Sequence, residues 1–216
     1  MHNIDDIEDI ILNGQTLEFV TSSKFLGVII DDKIKFNQHI QGLCNKISKS
    51  IGIIFRVRGC VPNVCLRILY FCLVHPYFLY CLPVFGATYD THLQPLILLQ
   101  KRAIRLISNA AFLANTEPLF KMQKILKFND IYKHSIACYM FKNQHLLHEF
   151  VPEHTHFTRY RNLLVPPFER LRSTSQSVIH NGVSIWNEIP NDIKSSLTLN
   201  SFKYQYKKYL LSQYES

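Results

Sequence analysis

Glycine is scarce in this sequence, seven in 216 residues, and proline is modest at nine. So few chain breakers argue against a turn-rich β fold and for helices. The glycines stand singly, so no glycine-rich loop can cradle a phosphate, and no G-x-S-x-G elbow occurs. Those absences leave nothing to support a hydrolase or a nucleotide-binding enzyme. Acid is scarce too, and unevenly so. Residues 33–109 hold ten bases and a single acid, Asp90, for a net +9, while residues 1–32 carry −6 and residues 110–216 carry +5. A long block almost free of acid suits a polyanionic partner, nucleic acid above all, or simply a charged, solvated surface.

Paired cysteine motifs are also missing. Cys44, Cys60, Cys65, Cys72, Cys81 and Cys138 all sit in apolar stretches. Asp5, Asp6, Glu8 and Asp9 fall where a signal peptide needs an apolar core. The expectation is therefore reduced, buried thiols in an intracellular compartment, nuclear or cytoplasmic. Cys60 and Cys65 are too loosely placed for a zinc knuckle. His134 and Cys138 are four apart on a helix, and His145, His148, His154 and His156 cluster, but no second ligand pair stands at zinc spacing. No metal and no cofactor is expected.

Residues 68–87 carry no formal charge over about the length of a membrane span. His75, Pro76 and Pro83 interrupt the stretch, and no stop-transfer pattern flanks it. Helical pieces in a globular core fit it better than a membrane helix, and no membrane partner is expected. Leu69, Leu73, Phe78 and Leu82 are its candidate core residues.

With hydrophobic residues at 47%, the chain can bury a real core. Asn13-Gly14 signals a two-residue turn and Ser22-Ser23 another. Lys24–Ile30 reads as a buried strand. Phe36, Ile40, Leu43, Ile47, Ile51 and Ile54 recur at steps of three and four, which predicts a helix over 36–55. A second helical region spans 63–82. A third helix spans 91–109, with Leu93, Ile97, Gln100, Ile104 and Ile107 as its core stripe and Lys101, Arg102 and Arg105 clustered elsewhere. Thr116 is a candidate cap, residues 129–148 a further helix, and 152–176 a polar loop or linker. A last helix starts near Ser201, with Asn200 as candidate cap. Phe202, Tyr206, Tyr209 and Leu210 line one face of it, and Lys203, Lys207 and Lys208 the other. Tyr204, Tyr206, Tyr209 and Tyr214 can stack on bases, with packing the commoner use.

Lys24-Phe25-Leu26-Gly27-Val28, followed by Asp31 and by His39-Ile40, resembles a segment of LINE-type (non-LTR, jockey-like) retrotransposon reverse transcriptases. Lys46-Ile47, Leu69-Tyr70 and Tyr80 continue the resemblance. Leu99-Gln100-Lys101-Arg102-Ala103-Ile104-Arg105 looks like the family's L-Q-(K/R)-R-A-x-R helix, and Trp186-Asn187-Glu188-Ile189-Pro190 resembles its W-N-x-(L/I)-P box. Ser201-Phe202-Lys203 and the lysine-rich last helix resemble the stretch that comes after that box in the family. The likeness runs over about residues 10–211.

The resemblance implies the part of an RNA-directed DNA polymerase that lies after the catalytic aspartates. A mainly α fold is expected, with a thumb-like helical bundle, a short N-terminal β-hairpin and a smaller helical C-terminal extension. Residues 1–35 would be palm-end strands with Phe25, Leu26 and Gly27 as a primer-grip-like segment, 36–110 the thumb-like bundle and 111–216 the extension. The aspartates and the Tyr-x-Asp-Asp hairpin of the family would lie before Met1, so the chain alone is not expected to be an enzyme. Asp31-Asp32 after Ile29-Ile30 imitates that hairpin, but Ile29 stands where tyrosine should be. The expected partners are the duplex backbone of an RNA–DNA hybrid or DNA, held by Lys46, Lys49, Arg56, Arg58, Lys101, Arg102 and Arg105, and the palm and fingers missing from this segment. A helical protein-interaction or structural domain with no nucleic-acid role is the alternative.

Overall fold

A computed structural model describes residues 10–150, 163–165 and 177–215. Apart from 163–165, the expected loop at 152–176 lies outside the described residues, as do His154 and His156.

Two antiparallel hairpins open the described chain. Asn13 (φ 52°) and Gly14 (φ 79°) both adopt positive φ. That turn pairs β1 (Ile11–Leu12) with β2 (Gln15–Thr16). Residues 24–30 do not run on as one strand. Leu26 (φ 46°) and Gly27 (φ 85°) form a second two-residue turn. It folds β3 (Ser22–Phe25) back on β4 (Val28–Asp31), with Ser22 opposite Asp31 and Phe25 opposite Val28. The apolar run hides this turn because a leucine at positive φ is an uncommon choice. Ser22-Ser23 accordingly lies in a strand and not in a turn.

The rest is helical. In α1 (Asn37–Val57) and at its N-cap, Phe36, the six residues of the periodic stripe are all buried. α5 (Asp90–Ile107) lies along α1 in the most extensive helix–helix contact of the fold. Leu93, Gln100, Ile104 and Ile107 face that core as their spacing predicts, while Ile97 is half-buried and Leu96, Ala103 and Leu106 join the buried set.

The helical region expected over 63–82 is three pieces: α2 (Asn63–Leu73), α3 (His75–Leu79) and α4 (Leu82–Phe85). Pro76 and Pro83 have no N–H for the carbonyls four residues back, so the helix breaks at each. The bends bring Tyr70, Val74, Phe78, Leu82 and Phe85 to full burial. Leu69 and Leu73 are only half-buried, because the inward line of α2 runs through Leu66 and Tyr70 and both leucines lie to one side of it. No described helix is long and apolar enough to cross a membrane.

α6 (Glu117–Gln123) follows Thr116, but the threonine hydroxyl does not cap it. Asn115 Oδ1 accepts from the Glu117 N–H at 3.1 Å. α7 (Phe128–Lys142) stops before the expected 148, and a 3-10 turn covers Gln144–Phe150. α8 (Val178–Glu188), α9 (Asn191–Lys194) and α10 (Leu199–Ser212) complete the chain, with a final 3-10 turn at Gln213–Glu215. The cap of α10 is Thr198 and not Asn200: its hydroxyl accepts from the Ser201 N–H at 3.2 Å.

α7 packs against both α8 and α10. There Phe202 stacks on Phe141 at 4.4 Å between ring centroids and on Trp186 at 5.9 Å. The buried side chains from Val28 to Leu210 form one continuous core. The expectation of buried thiols holds only in part. All six cysteines are free and Cys44 is buried, but Cys60, Cys65 and Cys72 are exposed. Cys65 and Cys72 are seven apart in α2, two turns along its outer face.

Candidate nucleic-acid interface

Several motif residues hold the scaffold together. Gln100 is 1% exposed, and its side-chain Nε2 donates to Tyr70 Oη at 3.1 Å and to the Leu126 carbonyl at 2.9 Å. It thereby ties α5 to α2 and to the chain entering α7. Burial pushes the Tyr70 phenol up, and the Gln100 hydrogen bond opposes this in part. Asn187 pins residues 163–165 to α8: its Oδ1 accepts from Leu164 N at 3.0 Å and its Nδ2 donates to Leu164 O at 2.8 Å. Trp186 is buried beside Phe202.

His39 links the second hairpin to α1. Its Nδ1 accepts from Ile29 N at 3.5 Å, and its ring meets Phe85 edge-on at 5.1 Å. Burial, and then the charge of Lys46, hold its pKa below the usual histidine value.

Asp31 closes β4 by a local cap. Its carboxylate accepts from the backbone N–H groups of Lys33 (3.2 Å), Lys35 (3.0 Å) and Phe36 (2.6 Å). Burial alone would raise its pKa, but these hydrogen bonds outweigh it and hold the carboxyl below its ordinary value. The group is engaged with the turn that launches α1. Among the described residues, no three His, Cys, Asp or Glu side chains come together as metal ligands. His134 Nδ1 and Cys138 Sγ stand 3.8 Å apart, and His134 Nε2 lies 3.0 Å from the Lys203 carbonyl.

Phe25, Leu26 and Gly27 form the tip of the second hairpin. Phe25 is 64% and Leu26 73% exposed, and Tyr80 Oη donates to the Leu26 carbonyl. The tip is thus an apolar point held, through a backbone contact, by the residue that ends α3.

The seven sequence-predicted cations divide into three places. Arg58, just past the end of α1, meets Arg102 and Arg105 of α5 around a cavity of about 280 Å³, with Phe55, Leu106 and Phe112 in its wall. No carboxylate lines it. Arg105 is oriented by its Nε–H, which donates to the Ala114 carbonyl at 2.8 Å and leaves its terminal nitrogens for other acceptors. The Arg58 guanidinium lies 4.6 Å over the Phe55 ring. Lys46, Lys49 and Arg56 are exposed on the outer face of α1, opposite its buried stripe. Lys101 belongs to neither set. It lines a groove of about 500 Å³ with Glu117, Lys127, Asp130 and Tyr214. The sequence therefore overstates the unity of Lys101, Arg102 and Arg105: Lys101 is turned about 100° from Arg102 and lies a helical turn before Arg105, and the elements packed around α5 place it in a different groove. It misses the part of Phe55 and Phe112, whose apolar type carries no such signal.

Over 131 residues, 59% of its length, the chain is 29% identical to the RNA-directed DNA polymerase from mobile element jockey of Drosophila funebris. Over 137 residues, 60% of its length, it is 28% identical to the protein of the same name from Drosophila melanogaster. The chain spans 14% of the length of each of these relatives. No family model and no solved structure matches it. The similarity agrees with the resemblance read from the motifs at the level of jockey-like reverse transcriptases as a whole.

Proposed function

We propose that this chain is the thumb-like portion and C-terminal extension of a jockey-type reverse transcriptase, and that it grips a template–primer duplex by its phosphates through Arg58, Arg102 and Arg105. One observation carries the reading: three guanidinium groups, from the end of α1 and from α5, converge on one cavity that no carboxylate lines. Arginine presents a planar fork of donors suited to phosphate oxygens. Such contacts position a duplex without reading its sequence.

In this reading residues 1–35 are the end of the palm, 36–110 the thumb-like bundle and 111–216 the extension. Ile10, Ile11, Leu12, Leu17, Phe19 and Val20 are all exposed on or beside the first hairpin. They offer the palm and fingers an apolar surface to pack on. Polymerisation needs paired carboxylates holding two metals, and the 216 residues contain no Tyr-x-Asp-Asp. The catalytic carboxylates then belong to another part of the polymerase, and this part binds without extending.

The test is a titration of the chain with labelled RNA–DNA hybrid at several salt concentrations. Affinity should fall with salt at a slope of about −0.9 per phosphate neutralised, the value for a B-form duplex, and should depend little on sequence. The double variant Arg58→Ala, Arg102→Ala should weaken binding to all duplexes alike and flatten the slope by up to about two units. Arg105 is left in place because it also holds the Ala114 carbonyl. Lys101→Ala should do less. A folded double variant with unchanged affinity and slope replaces this reading with that of a helical interaction domain.

A further inference from the structure

A second concentration of charge exists only in the folded chain. Arg67 of α2, Lys121 of α6, Lys124 just after it, and Lys207 and Lys208 of α10 line one groove of about 540 Å³, together with Tyr204, Leu211 and Ser212. No carboxylate lines the groove. Both ion pairs among the described residues, Lys127–Glu117 and Lys133–Glu188, lie elsewhere. Like charges gathered this way repel one another and weaken the fold, unless an anion joins them.

The groove has a fixed floor and an adaptable rim. Arg67 is held in place: its Nε–H donates to the Gln123 carbonyl at 3.3 Å, and its guanidinium lies 5.0 Å over the Phe71 ring. Lys121, Lys124 and Lys208 are exposed, and Lys207 is half-buried. Burial, and then the charge of Arg67, hold the Lys207 ammonium below its usual pKa, as expected for a cation that lacks a counter-charge. Tyr204 completes the rim at 70% exposure. Its neighbours are committed to packing. Tyr206 is buried against Phe202, Tyr209 stacks on Tyr206, and Tyr214 is bound to Asp130 and to the Lys127 N–H. Tyr204 makes no ring contact among the described residues.

We infer that this groove binds a single-stranded stretch of nucleic acid, with phosphates on Arg67, Lys121, Lys124, Lys207 and Lys208 and a base stacked on Tyr204. An exposed aromatic ring gains from stacking on an unpaired base, whereas the faces of paired bases are covered by their neighbours. The groove shares no residue with the Arg58, Arg102 and Arg105 cavity, so the two proposals stand or fall separately.

The experiment measures binding of the full chain to labelled oligouridylate and, in parallel, to an RNA–DNA hybrid. Tyr204→Ala should weaken oligouridylate binding on the order of tenfold, and Tyr204→Phe should retain it. The triple variant Lys121→Ala, Lys124→Ala, Lys208→Ala should flatten the salt slope for the single strand by roughly two units. All four side chains are exposed, and circular dichroism checks that the variants fold. Arg58→Ala, Arg102→Ala should weaken oligouridylate binding clearly less than the triple lysine variant does, and hybrid binding more. Single-strand affinity that survives the lysine variant overturns the site. Loss in the lysine variant with none in Tyr204→Ala overturns the stacking assignment and leaves a plain polyanion patch. Equal loss in the arginine variant overturns a separate groove.

Discussion

Gln100 shows how one buried polar side chain can be read in two ways. Beside Lys101 and Arg102 it looks like part of a binding motif, but its amide spans α2 and the entry to α7. Gln100→Ala would leave the Tyr70 hydroxyl and the Leu126 carbonyl short of a partner in the core. The expected loss is about 1–3 kcal/mol of stability, read as a shift in denaturant midpoint; a variant as stable as the wild type would show that water replaces the amide freely. Asp31 allows a test by pH. Its folded pKa is lowered, so its stabilisation is present above the unfolded value of about 3.9 and is lost as pH falls through the folded one. Asp31→Asn should therefore melt lower than the wild type at neutral pH and converge with it in strong acid. A gap that stays constant across that range would mean that the charge plays no part.

Among the elements, two close approaches against α7 can be probed at glycines. A Cβ added at Gly86 would lie 2.5 Å from the Tyr132 ring and 2.6 Å from the Leu82 carbonyl oxygen. Backbone cannot yield there, so Gly86→Ala should cost about 1–3 kcal/mol. Gly182 also faces a close neighbour, with a Cβ 2.4 Å from Met140 Sδ. A thioether can move aside, and alanine gains helix propensity within α8, so Gly182→Ala should cost less. Thermal melts of the two variants decide it; equal losses would remove the distinction between backbone and side-chain obstruction. The same helices show where the sequence was readable. The stripes of α1 and α10 were plain, because each is set by residues of one segment. The breaks after Leu73 and Leu79 are signalled only by Pro76 and Pro83.

For the whole molecule, the proposed grip on a duplex is separate from copying it. The chain, given a primed template, deoxynucleotides and magnesium, should extend nothing, since phosphoryl transfer depends on positioned metals. Template-dependent extension that disappears in Asp31→Asn, Asp32→Asn would reverse that reading. The helical class, the main stripes, the excess of base and the likeness to jockey-type polymerases all come from the sequence by itself, because composition, periodicity and motif order are properties of a segment read along its length. Only the tertiary structure decided which charges stand together. It joined Arg58 to Arg102 and Arg105, sent Lys101 to another groove, and brought Arg67 beside Lys207 from far along the chain. A helical period shows which way a side chain faces, but the groove it enters depends on which helix packs beside it, and that choice is made by the shared core.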